Sequence, residues 1–185
     1  MPPRVLILPG LFDSGPDHWQ TLWELKHPSF RRVRQRDWQT PDRSEWVATL
    51  QGAVAESATP ALLVAHSLAC CLVAHWAAVH DGPIQGALLV APADVEAPDF
   101  PEGTAGFAPM PLARLPFPSI VVASTNDPYV TTARATEFAA AWGARLELIG
   151  AAGHINSESG LGTWPQGLAF LEKLRRKATL HSEGR

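Results

Sequence analysis

The chain has 185 residues, 46% of them hydrophobic, which is enough for one domain with a buried core. Fifteen Lys and Arg against eighteen Asp and Glu leave a formal charge of -3 with no basic block, so nothing supports a nucleic-acid groove or an anionic membrane surface as partner. The adjacent Cys70 and Cys71 offer neither a disulfide framework nor zinc-ligand spacing, and a short apolar run ahead of Pro9-Gly10 is no signal-peptide core. A cytoplasmic protein without metal or organic cofactor is expected.

Short apolar runs alternate with stretches of helical period, the signature of βα units in a mainly parallel sheet. Strands are predicted at Val5 to Leu8, Val33 to Arg36, Ala61 to Ala65, Gly86 to Val90, Ser119 to Ser124 and Arg145 to Ile149. Helix starts are marked by capping-box spacings at Ser14-Gly15-Pro16-Asp17, Asp42-Arg43-Ser44-Glu45 and Thr163-Trp164-Pro165-Gln166, and by Thr131 or Thr132 before the helix reaching Trp142. Residues 92–118 are rich in proline and lack helical period, as a lid, a pocket rim or an irregular packing segment would be. Leu168, Leu171 and Leu174 mark one face of a last helix, and 177–185 reads as a frayed tail of a single domain spanning 1–185.

The stretch Leu62-Leu63-Val64-Ala65-His66-Ser67-Leu68-Ala69-Cys70-Cys71 is the most informative. An apolar strand hands over without a loop to a helix whose Leu68, Leu72, Trp76 and Val79 recur at helical spacing, and Ser67 stands at the corner. So sharp a corner needs small residues two before and two after, here Ala65 and Ala69. That is the geometry of a nucleophile elbow, with alanine where the second glycine is usual; Ser67 as an ordinary N-cap is the plainer alternative.

A serine hydroxyl needs a base, and the base an orienting acid. In an elbow fold they follow beyond the ends of later strands, and Asp127 in Asn126-Asp127-Pro128 and His154 in Gly153-His154 occupy such places. Asp94 is the rival acid. His66 and His75 read as packing residues, and Cys70 as core. The Leu68 amide is one oxyanion donor, and the turn Leu8-Pro9-Gly10-Leu11-Phe12 supplies the other, with Leu11 ahead of Phe12. Trp19, Trp38 and Phe107 are candidate pocket walls. In a sheet ordered 2-1-3-4-5-6 the first and third strands are neighbours whose helices leave on opposite faces, and the crevice between them is where ligands bind.

Over residues 4 to 175 the sequence resembles the small serine hydrolases of the α/β-hydrolase fold related to retinoblastoma-binding protein nine. The likeness rests on Leu8-Pro9-Gly10, Asp17-His18-Trp19-Gln20, Gln35-Arg36-Asp37-Trp38 with Pro41 and Glu45-Trp46-Val47, Ala65-His66-Ser67-Leu68, Ser124-Thr125-Asn126-Asp127-Pro128, Gly153-His154-Ile155-Asn156 and Trp164-Pro165-Gln166-Gly167. It implies a compact α/β-hydrolase fold without a large cap domain, a triad of Ser67, Asp127 and His154, and esterase or related acyl-hydrolase activity. A serine hydrolase cleaving small ester, thioester or activated amide substrates is therefore expected; a hydrolase-like binding protein without turnover is the alternative. The retinoblastoma pocket motif L-x-C-x-E is absent, since Leu68-Ala69-Cys70-Cys71-Leu72 lacks its acid.

Overall fold

The computed structural model describes residues 3–182, with side chains through residue 176. In chain order the elements are β1 (Arg4–Leu8), α1 (Trp19–Lys26), β2 (Phe30–Arg32), α2 (Arg43–Ala55), β3 (Ala61–His66), α3 (Leu68–Val79), β4 (Ile84–Val90), β5 (Ser119–Ala123), α4 (Thr132–Trp142), β6 (Arg145–Leu148) and α5 (Pro165–Ser182). The strands form one parallel sheet in the order β2-β1-β3-β4-β5-β6, as the sequence predicts.

Every residue of β3 and β5 is buried, as a parallel sheet covered on both faces requires. Because side chains alternate along a strand, Val5, Ile7, Leu62, Val64, Leu88 and Val90 meet Trp19 and Trp23 of α1 and Leu171 and Leu174 of α5. Leu6, Leu8, Leu63, Ala65, Ala87 and Leu89 face the other way, against α2, α3 and α4. The chain thus crosses to one face after β1 and to the opposite face after β3, and the two exits leave a crevice above the strand ends.

The second strand lies at Phe30–Arg32, earlier than the predicted Val33 to Arg36. Its register with β1 runs from Val5↔Phe30 to Ile7↔Arg32, and the last bond is from the Val33 N–H to the Ile7 carbonyl at 2.9 Å. Pro9, just beyond β1, has no N–H with which to extend the ladder. Val33 and Gln35 are still buried in alternation, which is the pattern that suggested a strand, but the ladder ends at the Val33 N–H and the chain runs on toward the Trp38 loop.

Two expected helix caps are also corrected. The N-cap of α1 is His18, whose Nδ1 accepts the Gln20 N–H at 3.2 Å; Ser14 instead donates to Gln20 Oε1 at 2.7 Å. Helix α5 starts at Pro165, so Thr163 precedes the cap position, and its carbonyl accepts the Trp23 indole N–H at 2.8 Å. Asp42 and Thr131 do cap α2 and α4. Helix α5 continues to Ser182, and residues 183–185 of the expected tail lie outside the described residues.

The proline-rich segment is mostly a packed layer. Phe107, Met110, Leu115 and Phe117 are buried against the α2–α4 face, and the Trp142 indole N–H donates to the Pro111 carbonyl at 2.8 Å. Its start is pinned by Arg134 of α4, which binds Asp94 at 3.1 Å and also pairs with Glu96 and Glu137. Arg134→Leu is expected to loosen this anchor while leaving the sheet intact. Hydrogen exchange would show faster exchange at the Asp94 and Ala97 amides, with about 1 kcal/mol or less lost from global stability because the network is partly exposed.

Candidate active site

Ser67 turns the corner between β3 and α3 at φ 56° and ψ -123°, a conformation that L residues rarely adopt and that costs about 1–3 kcal/mol. Its side chain caps nothing, so the N-cap alternative fails and the hydroxyl is free for another partner. Ala65 and Ala69 are fully buried on either side of the corner. The turn after β1 comes up against it: a Cβ on Gly10 would meet the His66 carbonyl oxygen at 2.8 Å, Ser67 Cβ at 2.9 Å and the Leu68 nitrogen at 3.2 Å.

Ser67 Oγ lies 2.8 Å from His154 Nε2, and His154 Nδ1 lies 2.9 Å from both oxygens of Asp127. The structure therefore brings together the three residues named from the sequence, in one hydrogen-bonded line. The Asp127 carboxylate is wholly shielded from solvent and also accepts the Tyr129 N–H at 2.9 Å. The rival acid Asp94 is held by Arg134 instead.

The His154 loop is fixed from several sides. Ser124 Oγ accepts the Ala152 N–H at 2.9 Å, Asn126 Oδ1 accepts the Gly153 N–H at 2.7 Å, and the Trp19 indole donates to the Ile155 carbonyl at 2.8 Å. Trp19 and Phe107 are core residues rather than pocket walls, and Trp38 packs on Trp46.

Of the two donors considered in the β1 turn, Phe12 is already committed, its N–H bonded to the Trp38 carbonyl at 2.9 Å. Asp13 N–H is likewise bonded to the Gly10 carbonyl, so of the two candidates Leu11 is the one whose amide has no backbone acceptor among the described residues. The Leu68 N–H opens α3, where no intrahelical acceptor exists for it.

Sequence reasoning missed three supporting side chains. His66 does more than pack: its Nε2 bonds the His154 carbonyl at 2.9 Å, tying the residue before the serine to the backbone of the histidine. Gln20, fully buried, donates from Nε2 to the carbonyls of Leu8 at 3.2 Å and Val64 at 3.1 Å, lacing β1 to β3 below the corner. Arg32 holds the β1–α1 loop through Asp13 and the Ser14 carbonyl. Only the Asp17-His18-Trp19-Gln20 motif hinted at this, through residue types unusual for a plain helix start.

His18, His66 and His154 stand in succession, with ring centroids 4.8 Å and 4.9 Å apart. Burial, followed by Arg32 and His154, pulls the His18 pKa from 6.5 to about 3. Burial, followed by His18 and His154, holds His66 well below its ordinary value. Both rings are neutral near pH 7. Burial pushes the Cys70 and Cys71 thiols up, consistent with core positions.

Above Ser67 lies a cavity of about 310 Å³. Leu11, Phe12, Phe100, Pro101 and Tyr129 give it an apolar, largely aromatic wall. Among the described residues no group of three His, Cys, Asp or Glu side chains forms a metal-ligand set, and no helix is long and apolar enough to cross a membrane.

A profile of the serine hydrolase family matches residues 5–173, nearly the whole chain. The chain belongs to the serine hydrolase family. Among solved structures, this serine hydrolase is similar to one described as a YdeN-like hydrolase from Pectobacterium atrosepticum, 32% identical, with a TM-score of 0.84 over 95% of this chain and 91% of that one. The ydeN gene product of B. subtilis is 18% identical, with a TM-score of 0.72 over 93% of this chain and 98% of that one. Est1E from Butyrivibrio proteoclasticus is 12% identical, with a TM-score of 0.64 over 100% of this chain and 90% of that one. The last two likenesses show the α/β-hydrolase fold. No curated protein matches the chain.

The neutral histidines give this serine hydrolase a pH signature. In the unfolded chain both rings titrate near 6.5, whereas in the folded protein they resist protonation, so the unfolded state binds more protons as pH falls. Their contribution is fully present above pH 6.5 and is lost on acidification, with His18 still losing stability down to about pH 3. Each ring adds a slope approaching about 1.4 kcal/mol per pH unit below that midpoint. Urea unfolding across this range is expected to show a shallower slope in His18→Ser, and an unchanged slope would disprove the assignment of a neutral ring.

Proposed function

We propose that Ser67 is a nucleophile that cleaves small ester, thioester or activated amide substrates through an acyl-enzyme. The observation that carries this reading is the line Asp127–His154–Ser67, ending on a strained serine that faces the cavity. His154 Nε2 accepts the hydroxyl proton as Ser67 Oγ attacks the carbonyl carbon. Asp127 fixes the ring with its proton on Nδ1 and stabilises the imidazolium that forms. The developing oxyanion lies between the Leu11 and Leu68 amides, with the N-terminus of α3 adding favourable potential. His154 then returns the proton to the leaving group, and water releases the acyl group by the reverse sequence.

No step calls for a metal or organic cofactor. A small-molecule acyl substrate fits the cavity volume, and its aromatic wall favours an apolar acyl or leaving group. We place the activity on one domain spanning 1–185 and, because both cysteines are free and buried, in the cytoplasm.

Intact-mass spectrometry with a fluorophosphonate probe tests the nucleophile without knowledge of the natural substrate. Stoichiometric labelling of the wild type is expected, with none in Ser67→Ala. Hydrolysis of p-nitrophenyl esters is expected to fall about 10³–10⁴-fold in Asp127→Asn, because the imidazole loses its orienting charge. A folded wild type that takes no label would overturn the hydrolase reading.

A further inference from the structure

Helix N-caps are most often Asn, Asp, Ser or Thr, and a histidine in that place brings a second nitrogen that capping leaves unused. In His18 the division is clear. Nδ1 accepts the Gln20 N–H, so the neutral ring carries its proton on Nε2. His18 is 4% exposed and lines the cavity beside Ser67, yet its Nε2–H has no acceptor among the described residues. The ring plane is fixed by the edge-on contact with His66, which is itself bound to the His154 carbonyl.

Leaving a buried donor without a partner costs about 1–3 kcal/mol, which plain packing would not require at this position. We propose that His18 is a substrate-binding residue whose Nε2–H donates to an uncharged acceptor oxygen, an ether, carbonyl or hydroxyl, carried by the acyl substrate near its scissile carbonyl. This rests on the serine-hydrolase reading above and narrows its substrate class. The charge of the cavity disfavours an anionic acyl group: Glu158 lines it, the Asp13 carboxylate there is paired with Arg32, and among the described residues no Lys or Arg lines it. The low His18 pKa keeps the donor neutral over the working range, so recognition is by hydrogen bond rather than ion pair.

The test uses pairs of p-nitrophenyl esters in which an ether oxygen replaces one methylene: methoxyacetate against butanoate, and β-methoxypropanoate against pentanoate. For each pair, the ratio of kcat/KM is measured in wild type and in His18→Ser, a replacement that retains a cap acceptor but cannot reach the cavity. Dividing one ratio by the other cancels the intrinsic reactivity of the esters and any effect the variant has on both. A preference for the ether ester about fivefold larger in wild type, for at least one pair, is expected from one neutral hydrogen bond. Equal ratios for both pairs, in an enzyme that still takes the fluorophosphonate label, would overturn the role of His18 and leave the hydrolase reading standing. A wild type with neither label nor turnover would overturn both.

A second measurement needs no variant. In ¹⁵N NMR of the wild type, the His18 Nε2–H signal is expected, and it should shift on forming a methoxyalkyl phosphonate adduct but not the matching alkyl adduct. A proton on Nδ1, or equal shifts in both adducts, would overturn the proposal.

Discussion

The close approach of the Gly10 backbone to the corner at Ser67 is the constraint on which the site depends. Strands β1 and β3 pair residue by residue up to Leu8↔Ala65, so the turn after one strand is delivered against the corner after the other. A side chain at position 10 would collide with the His66 carbonyl, the serine Cβ and the very amide that opens α3. Glycine is therefore required for steric room, and its small size lets the turn after β1 come up against the backbone of the corner. The strained serine conformation persists because both flanks are locked: Ser67 N–H bonds the Val90 carbonyl, and Ala65 and Ala69 leave no space for relaxation.

Around this corner the buried polar groups are mostly uncharged, and that shapes the electrostatics. Gln20 ties the ends of β1 and β3 with an amide whose donors and acceptor are all engaged. His66 ties the corner to the His154 backbone as a neutral ring. A cation in either place would oppose the imidazolium that the proposed reaction creates. Arg32, whose charge acts on His18, is instead neutralised by Asp13 and Glu24. Asp127 is then the shielded carboxylate bonded to His154, with the neutral Tyr129 N–H as its other partner, so among the described residues no second cation competes for its charge there.

What the sequence revealed follows from which interactions are local. The sharp corner at Ser67, the strand order and the placing of Asp127 and His154 beyond strand ends were legible because each depends on short-range pattern: an apolar run, small residues at fixed offsets, an acid or histidine just past a strand. The second strand was misplaced because burial goes on alternating to Gln35, past the last ladder bond at the Val33 N–H, and periodicity reports burial rather than hydrogen bonding. The α1 cap was misplaced because Ser14 has capping chemistry at the right spacing, while its hydroxyl goes to Gln20 Oε1. Gln20 and His66 were missed for a different reason. Their partners lie 44 and 88 residues away, and no local pattern encodes such a bond.

The choice of acid shows the same division. Both Asp94 and Asp127 follow strands of the sheet, and spacing alone cannot rank them. What ranks them is the company each keeps. Asp94 faces the guanidinium of Arg134 at the start of α4, where it anchors the proline-rich segment. Asp127 faces an imidazole and a backbone N–H, with its side chain closed to water. One carboxylate holds the proline-rich segment and the other the His154 imidazole, so in the proposed reaction the rim is anchored without drawing on the charge that the base needs.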